Sequence, residues 1–302
     1  MKNFPLISIV ISTYNQEAYL GECIQALVDD LYDTNSEIIV ADDCSTDQTK
    51  KIAKSYADNY PKLVRLMSSE INLGANKNYL RAHAAARGKY VAHIDGDDIS
   101  MPGKIYRQMN VMEKNPNINL VLHSAEYFSD SGKTIFLTGI TNPENSEWFF
   151  LQSDLACWGP IAVHSSFMYR RKALNLDKVP LPFMEWSIAM NALSQGNGIF
   201  INERLIRYRY NPGGSAWTSS VKGRQVAYDI QWENIRHFFD IYPELRTSLY
   251  SQVITNGFGI LRGGCKLPRG MLGWAFKQSL YLRITLIIIS MQMRWELAPY
   301  VK

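Results

Sequence analysis

Four short apolar runs, separated by stretches of helical periodicity, fill the first 95 residues. Residues 6–11 (LISIVI), 37–41 (EIIVA), 63–67 (LVRLM) and 90–94 (YVAHI) are β-branched or aromatic-rich and end abruptly in polar clusters. Runs of this length and composition read as buried strands. Between the first two, residues 17–28 carry Ala18, Leu20, Ile24, Leu27 and Val28 near helical spacing, and 48–60 and 75–87 read as further helices. This β-α-β-α-β-α-β alternation leaves few choices. Parallel strands need crossover connections, and the crossover helices cover the faces of the sheet. A mixed, mainly parallel α/β sheet covered by helices is therefore expected, with ligands outside the carboxyl ends of its strands.

Those ends carry the chemistry. Thr13 and Tyr14 follow the first run, Asp42 and Asp43 the second, and Asp95, Gly96, Asp97 and Asp98 the fourth. A lone acidic turn is ordinarily solvated. Repeated at successive strand ends of one sheet, the clusters point to a single crevice. Packed carboxylates raise each other's pKa unless a cation sits among them. A hard divalent ion, Mg²⁺ or Mn²⁺, suits such oxygen ligands and commonly brings phosphates with it. Gly96 is expected to let the backbone turn tightly. Thr46 or Asp47 is placed to cap the second helix, and Gly88 to close the third.

Further on, residues 102–114 read as a helix, 119–128 as a strand, and 129–132 as a hairpin turn into 133–138. Residues 146–153 read as a short helix or loop rich in aromatics, 162–170 as a strand, and 184–193 as a helix after the Pro180–Pro182 loop. Two strands follow at 199–202 and 205–210. From Val221 the character is helical: 225–242, from 243 to 257 or beyond, and 272–293. These assignments place a boundary near Ser219, with a helical extension over 220–302.

The 20% charged and 46% hydrophobic composition is that of a globular protein, and a net charge of +4 gives no reason to invoke nucleic acid. The charge is uneven. Residues 251–302 hold seven basic side chains against Glu296 alone, a net +6, which leaves −2 for the first 250 residues. Cys23, Cys44, Cys157 and Cys265 show neither metal-ligand nor disulfide spacing, so a reduced, cytoplasmic setting is the default. The first strand begins too soon for a signal peptide. The apolar run 284–289 is far shorter than the roughly 20 residues a membrane span needs. Beside the +6 charge, it reads either as peripheral contact with the inner face of an anionic membrane, or as a cap packed on the enzyme or on another copy in a homo-oligomer.

Four segments in this order, ISIVISTYNQEAYL, EIIVADDCSTDQT, NLGANKNYLRAHAAARGKYVAHIDGDD and FMEWSIAMNALSQGNGIFINERLIRYRY, resemble the inverting nucleotide-sugar glycosyltransferases of family 2 with the GT-A fold, of the kind that builds bacterial surface polysaccharides. The resemblance covers about 6–217 and implies a GT-A glycosyltransferase domain over 1–219, with a nucleotide-binding half (1–115) and an acceptor half (116–219). It implies a nucleotide-sugar donor, a glycan or lipid-linked glycan acceptor, and Mn²⁺ or Mg²⁺. Thr13 and Tyr14 match the loop on the nucleotide base. Asp43 matches the carboxylate that accepts from the base N3–H, which favours a UDP-sugar, with Asp42 beside it near base and ribose. Asp95 and Asp97 match the D-x-D pair around Gly96, Asp95 towards the ribose and Asp97 on the metal. Lys77 and Asn78 match a basic-polar pair on the donor side of the crevice, although helix-surface solvation explains them equally well. Glu185 matches the general base. The family's usual Glu-Asp pair is here Met184 and Glu185. The Q-x-x-R-W signature of processive synthases is missing, so one sugar per encounter is implied.

Two other classes compete. A catalytically silent nucleotide-sugar or carbohydrate-binding module is allowed by Met184, and release of nucleoside diphosphate would discriminate. A nucleotidyltransferase would need a glycine-rich, lysine-bearing loop after the first strand, and none is present. Among other residues, His93 reads as a buried, satisfied histidine, His164 as facing the acceptor or not with equal weight, and His83 and His237 as helix-surface residues. Trp148, Phe149, Phe150, Trp158 and Trp217 could stack on sugars, but core packing is their default. Arg207 and Arg209 could fork onto a diphosphate or pair with acids.

Overall fold

The computed structural model of the chain describes residues 5–31, 34–139, 146–210 and 220–278. In chain order the elements are β1 (Ile7–Thr13), α1 (Leu20–Leu31), β2 (Ser36–Asp42), α2 (Thr49–Asn59), β3 (Val64–Ser68), α3 (Ala75–Ala84), β4 (Tyr90–Asp95), β5 (Ile99–Ser100), α4 (Lys104–Lys114), β6 (Ile118–Phe128), β7 (Thr134–Leu137), β8 (Glu147–Phe150), α5 (Gln152–Trp158), β9 (Met168–Arg170), α6 (Trp186–Ala192), β10 (Asn197–Arg209), α7 (Val221–Ile241), α8 (Arg246–Arg262) and α9 (Met271–Lys277). The ten strands form one mixed sheet in the order β3-β2-β1-β4-β9-β6-β10-β5, with β7 on β6 and β8 on β10.

The apolar runs form the parallel half of the sheet, β3-β2-β1-β4, and it is buried as a doubly covered sheet must be. Ile9, Ile11, Ile38 and Val40 point to the face covered by α1 (Leu20, Ile24, Leu27) and α4 (Ile105, Met112). Val10, Ile39 and Val91 point to the other face. There they join Ala82 of α3, Trp186 and Met190 of α6, Phe238 of α7 and Leu249 and Val253 of α8 in a second core. Helices α7 and α8 are thus built into the packing of the parallel half of the sheet. Among the described residues no helix is long and apolar enough to cross a membrane.

Several expected boundaries move, each for a local reason. Residues 197–209 are one strand rather than two. The polar Glu203–Arg204 pair that reads as a break sits at register shifts against β6, where Glu203 pairs with Arg107 and Arg204 donates to the Thr138 carbonyl. Residues 164–166 form a 3-10 turn ahead of β9, stabilised by Ser166 Oγ donating to the Val163 carbonyl at 2.6 Å. The aromatic stretch after 146 is strand β8 leading into α5. Helix α3 ends at Ala84, so Gly88 is not its cap. Gly88 lies so close to β1 that a Cβ would meet Ser8 N at 2.5 Å. The domain boundary near Ser219, most of 272–293, the run 284–289 and Trp217 fall outside the described residues.

Candidate active site

Strand register brings the three polar ends together. Thr13 pairs with Asp42 across β1 and β2, and Ser12 pairs with Asp95 across β1 and β4. Thr13 is buried and donates to Gln16 Oε1 at 2.8 Å, while Tyr14 is 46% exposed beside it. The loops after β1 and β2 are tied by Asn15, whose Oδ1 accepts from Thr46 N at 2.9 Å. Asn15 and Cys44 both hold positive φ (50° and 63°), a cost that surrounding structure tolerates most often at functional sites. The second helix is capped from Asp47, whose carboxylate accepts from Thr49 N.

Asp42 and Asp43 are both buried but differently engaged. Asp43 accepts from Leu73 N at 2.8 Å and Gly74 N at 2.9 Å, which pins the turn before α3. Asp42 Oδ2 accepts from Ser45 N at 3.3 Å, and its Oδ1 is buried without a partner. Asn78 is spent on the core: its amide donates to the Ala41 carbonyl at 2.9 Å and its Oδ1 accepts from Arg81 Nε at 2.9 Å. Lys77 is exposed. Gly96 lies in the tight turn expected, closed by Asp98 N donating to the Asp95 carbonyl at 3.0 Å, and it also permits a close approach. A Cβ there would meet Gln16 Oε1 at 2.5 Å and Thr13 at 3.1 Å, so glycine lets the loop after β4 lie on the loop after β1.

The carboxylates after β4 are unequally compensated. Burial opposes ionisation of Asp95, but hydrogen bonds from His93 and Ser165 outweigh it and hold the carboxyl below its ordinary range. Asp97 is pushed up to about 6 by burial and then by Asp95, against the pull of Arg209. Asp98 is raised further, by burial and then by Asp97 and Asp95. It accepts from Ser165 Oγ and, at 2.9 Å, from Arg209 N. The Arg209 guanidinium donates to the Asp97 carbonyl and pairs with Glu22 at 3.2 Å and Asp130 at 3.4 Å. Lys104 is fully buried below, its Nζ donating to the Ser165 carbonyl at 2.6 Å; burial brings its pKa down to about 7. Among the described residues Arg209 and Lys104 face these three carboxylates, and Arg209 is shared with Glu22 and Asp130, so the charge is not balanced. The donor set of Asp97 and Asp95 fits the divalent ion expected there, because an added cation favours the charged form of Asp97.

Glu185 lies at the N-terminal boundary of α6, and its side chain caps nothing. Part of its surface reaches solvent, yet burial raises its pKa to about 7, against a backbone hydrogen bond and with a further push from Asp95. The loop before it is held from two helices. Asn76 exchanges two hydrogen bonds with the Phe183 backbone, at 3.0 and 3.1 Å. Asn234 of α7 accepts from Met184 N at 2.9 Å and Ser187 Oγ at 2.8 Å, and donates to the Pro182 carbonyl.

Some side chains follow their sequence reading, as Trp148 and Arg207 do, and others, such as His83, depart from it. His83 is buried between Tyr169 and His93 rather than on a helix surface. Trp148 packs on Phe150, Trp158 and Phe200, while Phe149 is 61% exposed. Arg207 pairs with Glu126. The sequence reading did not anticipate Lys104, Ser165, Asn76 or Asn234.

Comparison with known proteins fixes the class. TarS of S. aureus (residues 1–349, in complex with UDP-GlcNAc) superposes with a TM-score of 0.62 at 19% identity, over 84% of this chain and 75% of that one. The mannosyltransferase PcManGT from Pyrobaculum calidifontis, in complex with GDP-Man and Mn²⁺, superposes with a TM-score of 0.59 at 14% identity, over 94% and 84%. The sheet is that of the GT-A glycosyltransferases. Within that class, the sequence profile of Glycosyl transferase family 2 matches residues 8–176, and the chain belongs to that family. An uncharacterized glycosyltransferase of Haemophilus influenzae is 31% identical over 226 residues, covering 74% of this chain and 75% of the relative. One from Methanocaldococcus jannaschii is 28% identical over 265 residues, covering 83% and 87%. The protein is therefore a glycosyltransferase.

Proposed function

We propose that the chain moves a sugar from a nucleoside-diphosphate donor, a UDP-sugar first, to an acceptor hydroxyl with inversion at the anomeric carbon. The observation that carries this reading is Glu185. It is a carboxyl without a cation partner among the described residues, raised to about 7, within electrostatic reach of the acidic end of β4. A base poised near neutral pH is what removal of a hydroxyl proton requires. Solved proteins of this fold hold UDP-GlcNAc in one case and GDP-Man with Mn²⁺ in another, which supports a nucleotide sugar and a divalent ion here.

In this reading Thr13 and Tyr14 lie on the nucleotide base, Asp42 and Asp43 hold base and ribose, and Asp95 reaches the ribose. Lys77 stands at the rim, and Asn78 acts only by supporting the end of β2. Asp97 with Asp95 holds Mn²⁺ or Mg²⁺, which supplies neutralisation of the leaving diphosphate. Glu185 accepts the acceptor O–H proton. The freed oxygen pair forms the new bond to the anomeric carbon on the face opposite the diphosphate, which leaves with the electrons of the broken C–O bond. Asp97→Ala should abolish Mn²⁺-dependent binding of nucleoside diphosphate by calorimetry and leave the circular dichroism spectrum unchanged. Unaltered metal-dependent affinity in that variant would overturn the donor-site assignment.

The acceptor side has its own support. Phe258, Leu261, Leu272 and Phe276 of α8 and α9 are 56–82% exposed, and Arg262, Lys266, Arg269 and Lys277 are exposed among them without an acidic residue in 258–278. Apolar and basic side chains together fit an anionic lipid surface, where a lipid-linked glycan acceptor is met.

A further inference from the structure

At the end of β4 lies a second group of donors, of which the transfer mechanism uses Asp95 alone. His93, Asp95 and His164 each present a ligand atom, and the three atoms lie within 4.8 Å of one another. His93 Nε2 and Asp95 Oδ1 are 3.1 Å apart. Two neighbouring ligands of one ion, each about 2.1 Å from it, stand roughly 3.0–3.4 Å apart, and opposite ligands up to about 4.2 Å. The first pair is thus already at ligand spacing, and a modest side-chain adjustment brings in the third. His164 Nε2 is buried with no hydrogen-bond partner.

The surroundings are those of a metal-ligating imidazole. Such a histidine commonly directs its second nitrogen to a fixed partner, which sets its tautomer and orientation. His93 Nδ1 meets His83 Nε2 at 3.1 Å, and His83 Nδ1 meets the Tyr169 hydroxyl. The row permits two polarities. In one, Tyr169 donates to His83, His83 to His93, and His93 to Asp95. In the other every proton is reversed: His93 carries its proton on Nδ1 for His83 Nε2, His83 carries its own on Nδ1 for the Tyr169 oxygen, and His93 Nε2 is left with a free lone pair. His93 and His164 also stack, with ring centroids 4.0 Å apart, so both imidazoles are fixed by packing.

We infer that His93, Asp95 and His164 form a cation site of their own, taking a divalent first-row transition ion through two imidazole nitrogens and one carboxylate oxygen, in addition to the ion assigned to Asp97. The donor set selects the ion: imidazole suits Zn²⁺, Co²⁺ or Fe²⁺, whereas Mg²⁺ prefers oxygen. Bound there, the ion ties the end of β4 to the 3-10 turn His164–Ser166, which Ser165 already joins to Asp95 through its hydroxyl. The site shares only Asp95 with the donor reading, so the two can fail separately.

The test titrates the full-length chain, stripped with chelator and free of nucleotide, with Co²⁺ and with Mg²⁺. The expected result is one equivalent of Co²⁺ per chain, a visible d–d absorption band of a nitrogen-ligated ion, a raised unfolding temperature, and none of these with Mg²⁺. Asp97→Ala should keep this binding while losing Mn²⁺-dependent nucleotide binding. His164→Gln should weaken Co²⁺ by at least about 10-fold. The proposal is overturned by no saturable Co²⁺ binding to the wild-type chain, by equal response to Mg²⁺, by unchanged Co²⁺ affinity in His164→Gln, or by loss of Co²⁺ binding in Asp97→Ala. Because the wild-type titration alone can decide against it, poor folding of either variant leaves the test intact.

Discussion

The carboxylates after β4 face two different surroundings. Asp98 has its partners built in: the Arg209 amide, the Ser165 hydroxyl and, near by, the buried ammonium of Lys104. Burial raises all three, but Asp97, at about 6, is offset by the more distant pull of Arg209 and by Gln16, and Glu185, at about 7, by a backbone hydrogen bond, with no buried ammonium beside either among the described residues. The difference separates structural acids from working ones. A carboxylate matched within the fold holds the loop in place. One left without a match is available to an ion or a proton.

The largest expected effect tests the unmatched side. Glu185→Gln keeps size and removes basicity, so turnover should fall by about 10²–10⁴. Donor affinity should stay within about 2-fold, since the carboxylate acts on the acceptor. In the wild-type enzyme the rate should rise with pH through about 7, because only the ionised carboxyl accepts a proton, and that rise should vanish in the variant. A near wild-type rate in the variant, or a product of retained configuration, would remove Glu185 from the mechanism.

Arg209→Met tests the matched side. It withdraws a guanidinium whose side chain is only 6% exposed and leaves Glu22, Asp130 and the Asp97 carbonyl without it. Because Glu22 and Asp130 are more than half exposed and rehydrate, the loss is that of hydrogen bonds from a charged group, about 1.5–3 kcal/mol. Urea unfolding should show that loss, and a change under about 1 kcal/mol would mean that the arginine is not what holds the loop.

Asp43 lies between the two classes, because both its oxygens already serve the Leu73–Gly74 turn. If it also receives the nucleobase, Asp43→Ala should weaken nucleoside diphosphate binding by about 1.5–3 kcal/mol. Lower stability with equal affinity would make it a turn clamp alone.

How much of this was legible in sequence follows from the same distinction. A buried strand must be apolar and its end must become polar, so β1, β2 and β4 and the clusters at Thr13, Asp42 and Asp95 could be read directly. Glu185 came through resemblance to a family. The matching groups could not be read. Arg209 meets Asp97 across 112 residues and Asn76 meets Phe183 across 107, and nothing local in the chain marks those pairings. Lys104 reads as an ordinary helix-surface lysine until tertiary packing closes over it. Gly88 fits the local pattern of a helix cap, but its true constraint is β1, 80 residues earlier.

The smallest expected effect concerns the far end of the molecule, where exposed apolar groups take the place of unmatched charge. Removing the helices is not a fair test, because Phe238 of α7 and Leu249 of α8 are part of the central core. Single charges on the surface are. Full-length protein should co-sediment with vesicles rich in anionic lipid more than with neutral ones, and the excess should shrink at high salt, since exposed charges are screened over about 8–10 Å at physiological ionic strength. Arg269→Gln removes one exposed cation between α8 and α9. Each basic side chain near an anionic surface contributes about 1 kcal/mol, so membrane partitioning should fall roughly 5-fold while activity on a water-soluble acceptor is unchanged. Equal sedimentation with neutral and anionic vesicles, or self-association through the same face in ultracentrifugation, would replace the lipid surface with a second copy of the chain as the partner of α8 and α9.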